Sequence, residues 1–460
     1  DFNTKITTNA IGLSTTEYLD GLGRKYQAVS SSEDGSLARL VSSEAYYNNR
    51  GMVEKESLAH YIDEAPSQIA YVRYEYDIRG RLKKTISDFP GTTSDAESSI
   101  NYLSPLSAET TDPQGHRKAT QKDIYGNTIE VIEYAATDGV FHTYYVYDIQ
   151  NNLIKTTDNQ GNSTQIFYDS IGRKLKMIDP DMGTWSYEYD LVGNLIKQTD
   201  AKAQVLGFEY DSLNRLTRKL ANLQTLVTYI YDDPLKPNCI GRLSKVTDNS
   251  GSTEFFYDTL GRETNSIKEV SGVKYQVSRE YDVLDRLTKL TYPDAAIVNY
   301  SYDTNSGGLE RVYTQNSQLI TQDYVKDITY SASGQIKTIS YGNGVATTYT
   351  YGQDSRLSKI LTQNPAFTTL QDLNYLFDKN GNLTTLTDNL KSNIRSYIYD
   401  DLDRLTQAQN LPSPTGGFTN YNYQYDSIGN MLYKSDVGVM TYGLNAGPHA
   451  LTSAGGYSYT

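Results

Sequence analysis

The sequence predicts an all-β fold of tandem antiparallel β-hairpins. Three observations carry that expectation: a recurring Tyr-Asp pair, a second turn signal midway between pairs, and strand-type residues filling the gaps. Tyr-Asp begins at Tyr76, Tyr147, Tyr168, Tyr189, Tyr210, Tyr231, Tyr257, Tyr281, Tyr302, Tyr399 and Tyr425. From Tyr147 to Tyr231 the step is a constant 21 residues. Elsewhere it stretches, as between Tyr257 and Tyr281 and between Tyr399 and Tyr425, which is what loop insertions do to a repeat without erasing it.

Aligned on the pair, the unit reads Tyr-Asp-x-x-Gly/Asn/Asp-Arg/Asn, with Leu close behind. Its copies are Tyr76-Asp77 with Gly80-Arg81, Tyr168-Asp169 with Gly172-Arg173, Tyr189-Asp190 with Gly193-Asn194, and Tyr210-Asp211 with Asn214-Arg215. They continue as Tyr257-Asp258 with Gly261-Arg262, Tyr281-Asp282 with Asp285-Arg286, Tyr399-Asp400 with Asp403-Arg404, and Tyr425-Asp426 with Gly429-Asn430. Tyr147-Asp148 holds the same register, and degenerate copies stand at Phe377-Asp378, Tyr330 and Tyr18. These are the candidate structural residues of the chain.

Each position has a physical task. The Asp carboxylate can accept backbone N–H groups two residues on, and Gly, Asn or Asp at the fifth position tolerate positive φ, so the motif is a turn. Tyr before it and Leu after it belong to the flanking strands, where cross-strand pairs contribute roughly 0.2–1 kcal/mol each. A second turn falls midway in each unit, at Asp158-Asn159-Gln160-Gly161, Asp179-Pro180-Asp181-Met182-Gly183 and Asp248-Asn249-Ser250-Gly251. Each unit therefore makes two strands of ordinary length, such as Ser163–Tyr168 and Thr184–Tyr189, and no segment shows a capped helical period.

Composition fits a thin sheet better than a thick globule. Only 38% of residues are hydrophobic, yet Tyr accounts for 42 residues against 10 Phe and 1 Trp. A tyrosine covers apolar surface with its ring and keeps its hydroxyl for water or a neighbour, which suits a half-buried strand. Along Leu153-Ile154-Lys155-Thr156-Thr157 neither face is uniformly apolar, so both faces can meet water or polar contents. A continuous sheet that curls around an open interior satisfies this pattern, as does a sheet packed on an absent partner.

The net charge of −13 and the lack of a basic stripe argue against nucleic acid, and no run of about 18 apolar residues argues for membrane insertion. The lone Cys239 is expected to be a buried, inert thiol. His60, His116, His142 and His449 are scattered singly, without metal-ligand spacing, and no nucleotide-binding glycine loop or nucleophile elbow is present. The recurrent Asp holds one turn position in copy after copy, which a catalytic pair or a calcium site would not require. No catalytic residue, metal site or cofactor is expected.

The motif resembles that of the RHS/YD-repeat family, and the resemblance runs from about Tyr18 to Thr460. That family includes bacterial RHS toxins, the B and C components of Tc toxin complexes and the animal teneurins. The resemblance implies a spiralling sheet that forms part of a hollow, cocoon-like shell. In bacterial members such a shell encloses a C-terminal toxic polypeptide before delivery. The implied partners are that polypeptide, the rest of the shell and a translocation channel component, and the implied location is secreted or extracellular. The family's Asp-Pro-x-Gly self-cleavage segment is not expected here: Asp112-Pro113-Gln114-Gly115 has the letters but sits among early repeats, and both it and Asp179-Pro180 read as turns.

Residues 1–460 thus read as one repeat region, excised from a longer protein, with irregular insertions near 85–122 and 307–329 as the first places to expect partner contact. The alternative to a toxin shell is an extracellular adhesive or carbohydrate-binding scaffold, for which Trp185 alone is a thin supply of indole.

Overall fold

A computed structural model describes residues 3–8, 14–31, 40–89, 95–136, 138–304, 306–315, 321–411, 419–443 and 446–459. The chain is all-β, with 41 strands in one continuous antiparallel sheet. Almost every strand pairs with the next in sequence, as Ser163–Tyr168 does with Lys174–Asp179 and Lys174–Asp179 with Gly183–Tyr189. One local exception is Leu40–Tyr47, which pairs with both Val53–Ser57 and the two-residue His60–Tyr61. Among the described residues the only helical turn is a 3-10 turn at Pro66–Gln68.

The Tyr-Asp motif folds as a type I turn closed by a bulge. Gly172 N–H donates to Asp169 O at 3.1 Å, Asp169 N–H donates to Arg173 O at 2.9 Å, and the register slips by one residue between Phe167 and Tyr168. The bulge residue must take positive φ, which is 84° at Gly172 and is tolerated by Asn214 at 62°, Asp285 at 61° and Asp403 at 57°. The same slip falls at Tyr189, Tyr210, Tyr257, Tyr281, Tyr399 and Tyr425. A bulge adds right-handed twist, and placing one in every hairpin along the same edge bends the ribbon steadily in one sense.

That bend brings the ribbon back onto itself. Contacts between remote parts of the chain share a nearly constant separation, from 264 residues for Asn380 with His116 to 269 for Tyr61 with Tyr330. The sheet is a spiral that completes one circuit, or coil, in that length, and 460 residues make less than two coils.

The wall is a single layer. Its accessible surface is 27113 Å², whereas a compact monomer of this mass exposes roughly 17,000 Å² by the usual scaling. Buried apolar residues are correspondingly few among the described residues, chiefly Val29, Ile86, Phe141, Met177 and Ile328. Cys239 is fully buried in the enlarged turn between Asp232 and Arg242. Residues 85–122 carry the strands Leu82–Asp88, Ala96–Ser104, Ser107–Thr111 and Arg117–Lys122, and residues 307–329 carry Leu309–Gln315 and Thr321–Tyr330. The parts of those two stretches at 90–94 and 316–320 lie outside the described residues.

Candidate functional site

Two recurring constellations organise the molecule: a lock that joins each repeat to the next, and a seam that joins one coil to the next. The lock is clearest between the repeats at Asp169 and Asp190. Asp169 Oδ1 accepts the N–H groups of Ile171 at 3.0 Å and Arg173 at 2.9 Å, while Oδ2 accepts Arg173 Nε at 2.6 Å. The same guanidinium donates through Nη1 to Asp190 O at 3.1 Å and lies 4.9 Å above the Tyr189 ring. Tyr189 Oη donates back to Lys174 O at 2.9 Å. One Arg thus ties its own turn, the next turn and the next tyrosine.

The pattern repeats around the spiral. Tyr168, Tyr210, Tyr257, Tyr399 and Tyr425 donate to the carbonyls of Leu153, Leu195, Leu243, Leu383 and Leu405, the first strand residue after the preceding turn. Tyr76 reaches Val53 O and Tyr281 reaches Glu263 O in the same way. Arg81, Arg215, Arg262, Arg286 and Arg404 stand over Tyr102, Tyr231, Tyr281, Tyr302 and Tyr425. Tyr147 sits at its bulge without such a hydroxyl bond, and Asp148 still caps Gln150 and Asn152. Where Asn replaces Arg, Asn194 Nδ2 bonds Asp190 Oδ2 at 2.8 Å and Asn214 Oδ1 at 2.9 Å, and Asn430 bonds Asp426 Oδ2 and Pro448 O. The amide is shorter, so it links turns without covering a ring.

Electrostatics follow from this bonding. The Arg173 N–H is the main influence holding the Asp169 carboxyl below the usual carboxylate range, helped by its guanidinium and opposed by desolvation. Asp77 and Asp211 are lowered in the same way by Arg81 and Arg215, and Asp148 chiefly by the Asn152 amide. Burial raises the hydroxyls of Tyr168, Tyr210 and Tyr351, which keeps them protonated as donors.

The seam was not foreseen from the sequence. Tyr-Asp turns of the second coil rest on the linker turns of the first, the turns midway between motifs. Arg404 Nη2 meets Asp138 Oδ2 at 3.0 Å and the Ala136 N–H donates to Asp401 Oδ2 at 2.5 Å. Gln160 donates to Asp426, and His449 meets Asp181 through its ring at 2.7 Å and its N–H at 2.8 Å. At the centre of the seam Asn380 Nδ2 donates to Asp112 Oδ2 at 2.6 Å and Asp403 Oδ1 at 3.2 Å, with His116 Nε2 3.6 Å from Asp401. Asp112, His116 and Asp403 offer ligand atoms within 4.8 Å of one another, a geometry that could hold a cation. The Asn380 amide already donates to both of those carboxylates, so they are satisfied without one.

Asp112-Pro113-Gln114-Gly115 is a linker turn, with Gln114 and His116 N–H groups on Asp112 Oδ1 and Gly115 at φ 94°. Asp179-Pro180 is another, with Asp179 Oδ1 accepting from Asp181 and Met182.

Comparison with known proteins agrees with this architecture. The Teneurin YD-shell family matches residues 106–236 and 238–368, more than half of the chain, and the RHS Repeat family matches residues 377–417. Toxin subunit YenC1 of Yersinia entomophaga is 32% identical over 185 residues, covering 33% of this chain and 18% of that protein. Toxin subunit YenC2 of the same organism is 27% identical over 245 residues, covering 43% of this chain and 24% of that protein. The crystal structure of TcdB2-TccC3 without its hypervariable C-terminal region superposes over 98% of this chain with a TM-score of 0.82 at 19% identity. The Photorhabdus luminescens Tc holotoxin pore does so over 98% with a TM-score of 0.80 at 18% identity. This chain spans 27% and 26% of those two structures' chains. The locked repeats and the coiled single-layer sheet are those of a YD shell, and the chain belongs to the Teneurin YD-shell family.

Proposed function

We propose that this chain is a wall segment of a bacterial Tc-type toxin shell, which encloses a toxic polypeptide lying C-terminal to the repeats until delivery. The observation that carries the reading is the single-layer sheet that returns onto itself after 264 to 269 residues, since a wall of this kind bounds a space instead of filling it. Its likeness to two toxin subunits and to the fold of TcdB2-TccC3 supports the assignment. In this reading the Tyr-Asp turns are structural: Asp caps the turn, Tyr spans to the preceding repeat, and Arg or Asn couples to the next. The chain performs no catalysis, works with the remaining shell and a channel component, and acts outside the cell that makes it.

The test has two parts. Small-angle scattering or cryo-electron microscopy of the protein should show a curved wall around a solvent-filled interior. In the longer toxin that carries these repeats, the polypeptide C-terminal to them should resist protease until the shell is unfolded. A close-packed particle, or immediate digestion of that polypeptide, would sink the encapsulation reading and leave the glycan-binding or adhesive scaffold as the better account.

A further inference from the structure

The two edges of the ribbon differ, and only part of the Tyr-Asp edge is covered. Two residues after the motif Asp, the first coil presents Ile171 and Val192 at 72% exposure, Leu213 at 67% and Leu260 at 68%. In the second coil the residues at the same motif position, Leu402 and Ile428, are half-buried. Leu402 lines a 430 Å³ seam cavity together with Ile100, Asp112 and His116 of the first coil. An apolar tip is therefore what a covered Tyr-Asp edge uses, and the first coil displays the same tips with nothing on them. Along that edge one tip recurs per hairpin, and with strands spaced about 4.8 Å apart the tips recur about every 10 Å. A row of such residues is an interaction surface, not scattered surface hydrophobicity.

We propose that this uncovered Tyr-Asp edge is a docking rim for another length of YD-repeat ribbon, which lays its linker-turn edge on the rim as the first coil does on the second. The occupant is identified by continuity with the seam. Linker turns recur at the same 10 Å spacing, they cover these tips where both are present, and they bring carboxylates to the motif Arg, as Asp138 does to Arg404. A lipid surface fits less well, because the chain carries a net charge of −13 and the rim alternates its apolar tips with Asp carboxylates. The first coil has equivalent arginines ready at Arg173, Arg215 and Arg262. Association of this kind is head-to-tail, rim to opposite rim, and so extends the spiral without closing a two-fold dimer. The inference rests on the shell reading, since it assumes that the seam seen between the coils forms in solution.

Thiol labelling tests both ideas separately. Cys239 is fully buried and silent, so single variants Ile171→Cys, Val192→Cys and Leu402→Cys each report one tip. The probe is excess unlabelled wild-type chain, whose own linker-turn edge bears exposed Leu223 and Phe367. Ile171→Cys and Val192→Cys should label rapidly alone and at least tenfold more slowly with excess wild-type chain, whereas Leu402→Cys should label slowly in both conditions. Unchanged labelling of both rim variants at saturating wild-type chain, with Leu402→Cys still slow, would overturn the docking rim and leave the shell intact. Rapid labelling of Leu402→Cys in the chain alone would overturn the seam, and the shell reading with it.

Discussion

The guanidinium of Arg173 lies 4.9 Å above the ring of Tyr189 while donating to the carbonyl of Asp190, so the Arg of one repeat is bound to the Tyr-Asp pair of the next. A repeat protein gains its stability from such nearest-neighbour terms, because no single hairpin buries enough surface to stand alone.

Replacing that Arg should separate charge from shape. Arg173→Lys keeps the charge but loses the planar fork that bonds Asp169 and Asp190 together while covering the ring. It should cost about 1 kcal/mol, the scale of a partly desolvated cation–π contact, and Arg173→Asn should recover part of that loss by using the amide link seen at Asn194. Urea unfolding of the three proteins is the measurement, and equal stability of Lys and Arg would show that the fork is idle.

The tyrosine hydroxyls make a second, separable contribution. Tyr210→Phe removes only the 2.9 Å bond to Leu195 O and should destabilise by about 1 kcal/mol, whereas Tyr210→Ala also removes the ring and should cost about 3 kcal/mol. Hydrogen exchange should report the Phe variant's loss at the Leu195–Thr199 and Val205–Tyr210 strands. A Phe variant as stable as wild type would mean that water replaces the hydroxyl at no cost.

Acid should loosen every lock in one pH window. Asp77, Asp148, Asp169 and Asp211 all titrate below their usual value in the folded chain, so protons bind the unfolded chain more readily. Their stabilising contribution is therefore complete above the unfolded carboxylate value of about 3.9 and is lost as pH falls through the lower folded values. Melting temperature should be insensitive to these groups from pH 7 to about 5 and fall steeply below about 4. Asp169→Asn should flatten that fall locally, and an acid limb unchanged when several motif aspartates are replaced would assign acid unfolding to other carboxylates.

The fold was legible because its determinants are local. Asp169, Gly172 and Arg173 lie within five residues of one another, and their turn geometry follows from what carboxylates, glycine and guanidinium can do with nearby backbone. The lock was half legible: Tyr189 falls a fixed distance after Arg173, so aligning the repeats places the two side by side, but nothing in either residue alone announces the stacking. The seam was not legible. Asn380 and Asp112 are 268 residues apart, a span filled by repeats of unequal length, and their chemistry is that of any polar turn. Likewise His116 and His449 lack ligand spacing in the sequence and meet their carboxylates only because the sheet curves.

That curvature can be tested at one glycine of the seam. A Cβ on Gly447 would lie 2.6 Å from Asp181 Cα and 2.8 Å from Pro180 O, both backbone atoms of the coil below. Neither atom can move without opening the Asp179–Gly183 turn, so Gly447→Ala must push the coils apart and cost about 1–3 kcal/mol as an overpacked contact. The His449 bonds to Asp181 lie two residues away and should break with it. Hydrogen exchange should rise at residues 179–183 and 446–450, while the locks between Tyr189 and Tyr281, far from this contact, keep their protection. If Gly447→Ala leaves exchange at 179–183 unchanged, the two coils do not touch there in solution, and the spiral is wider than its local turns require.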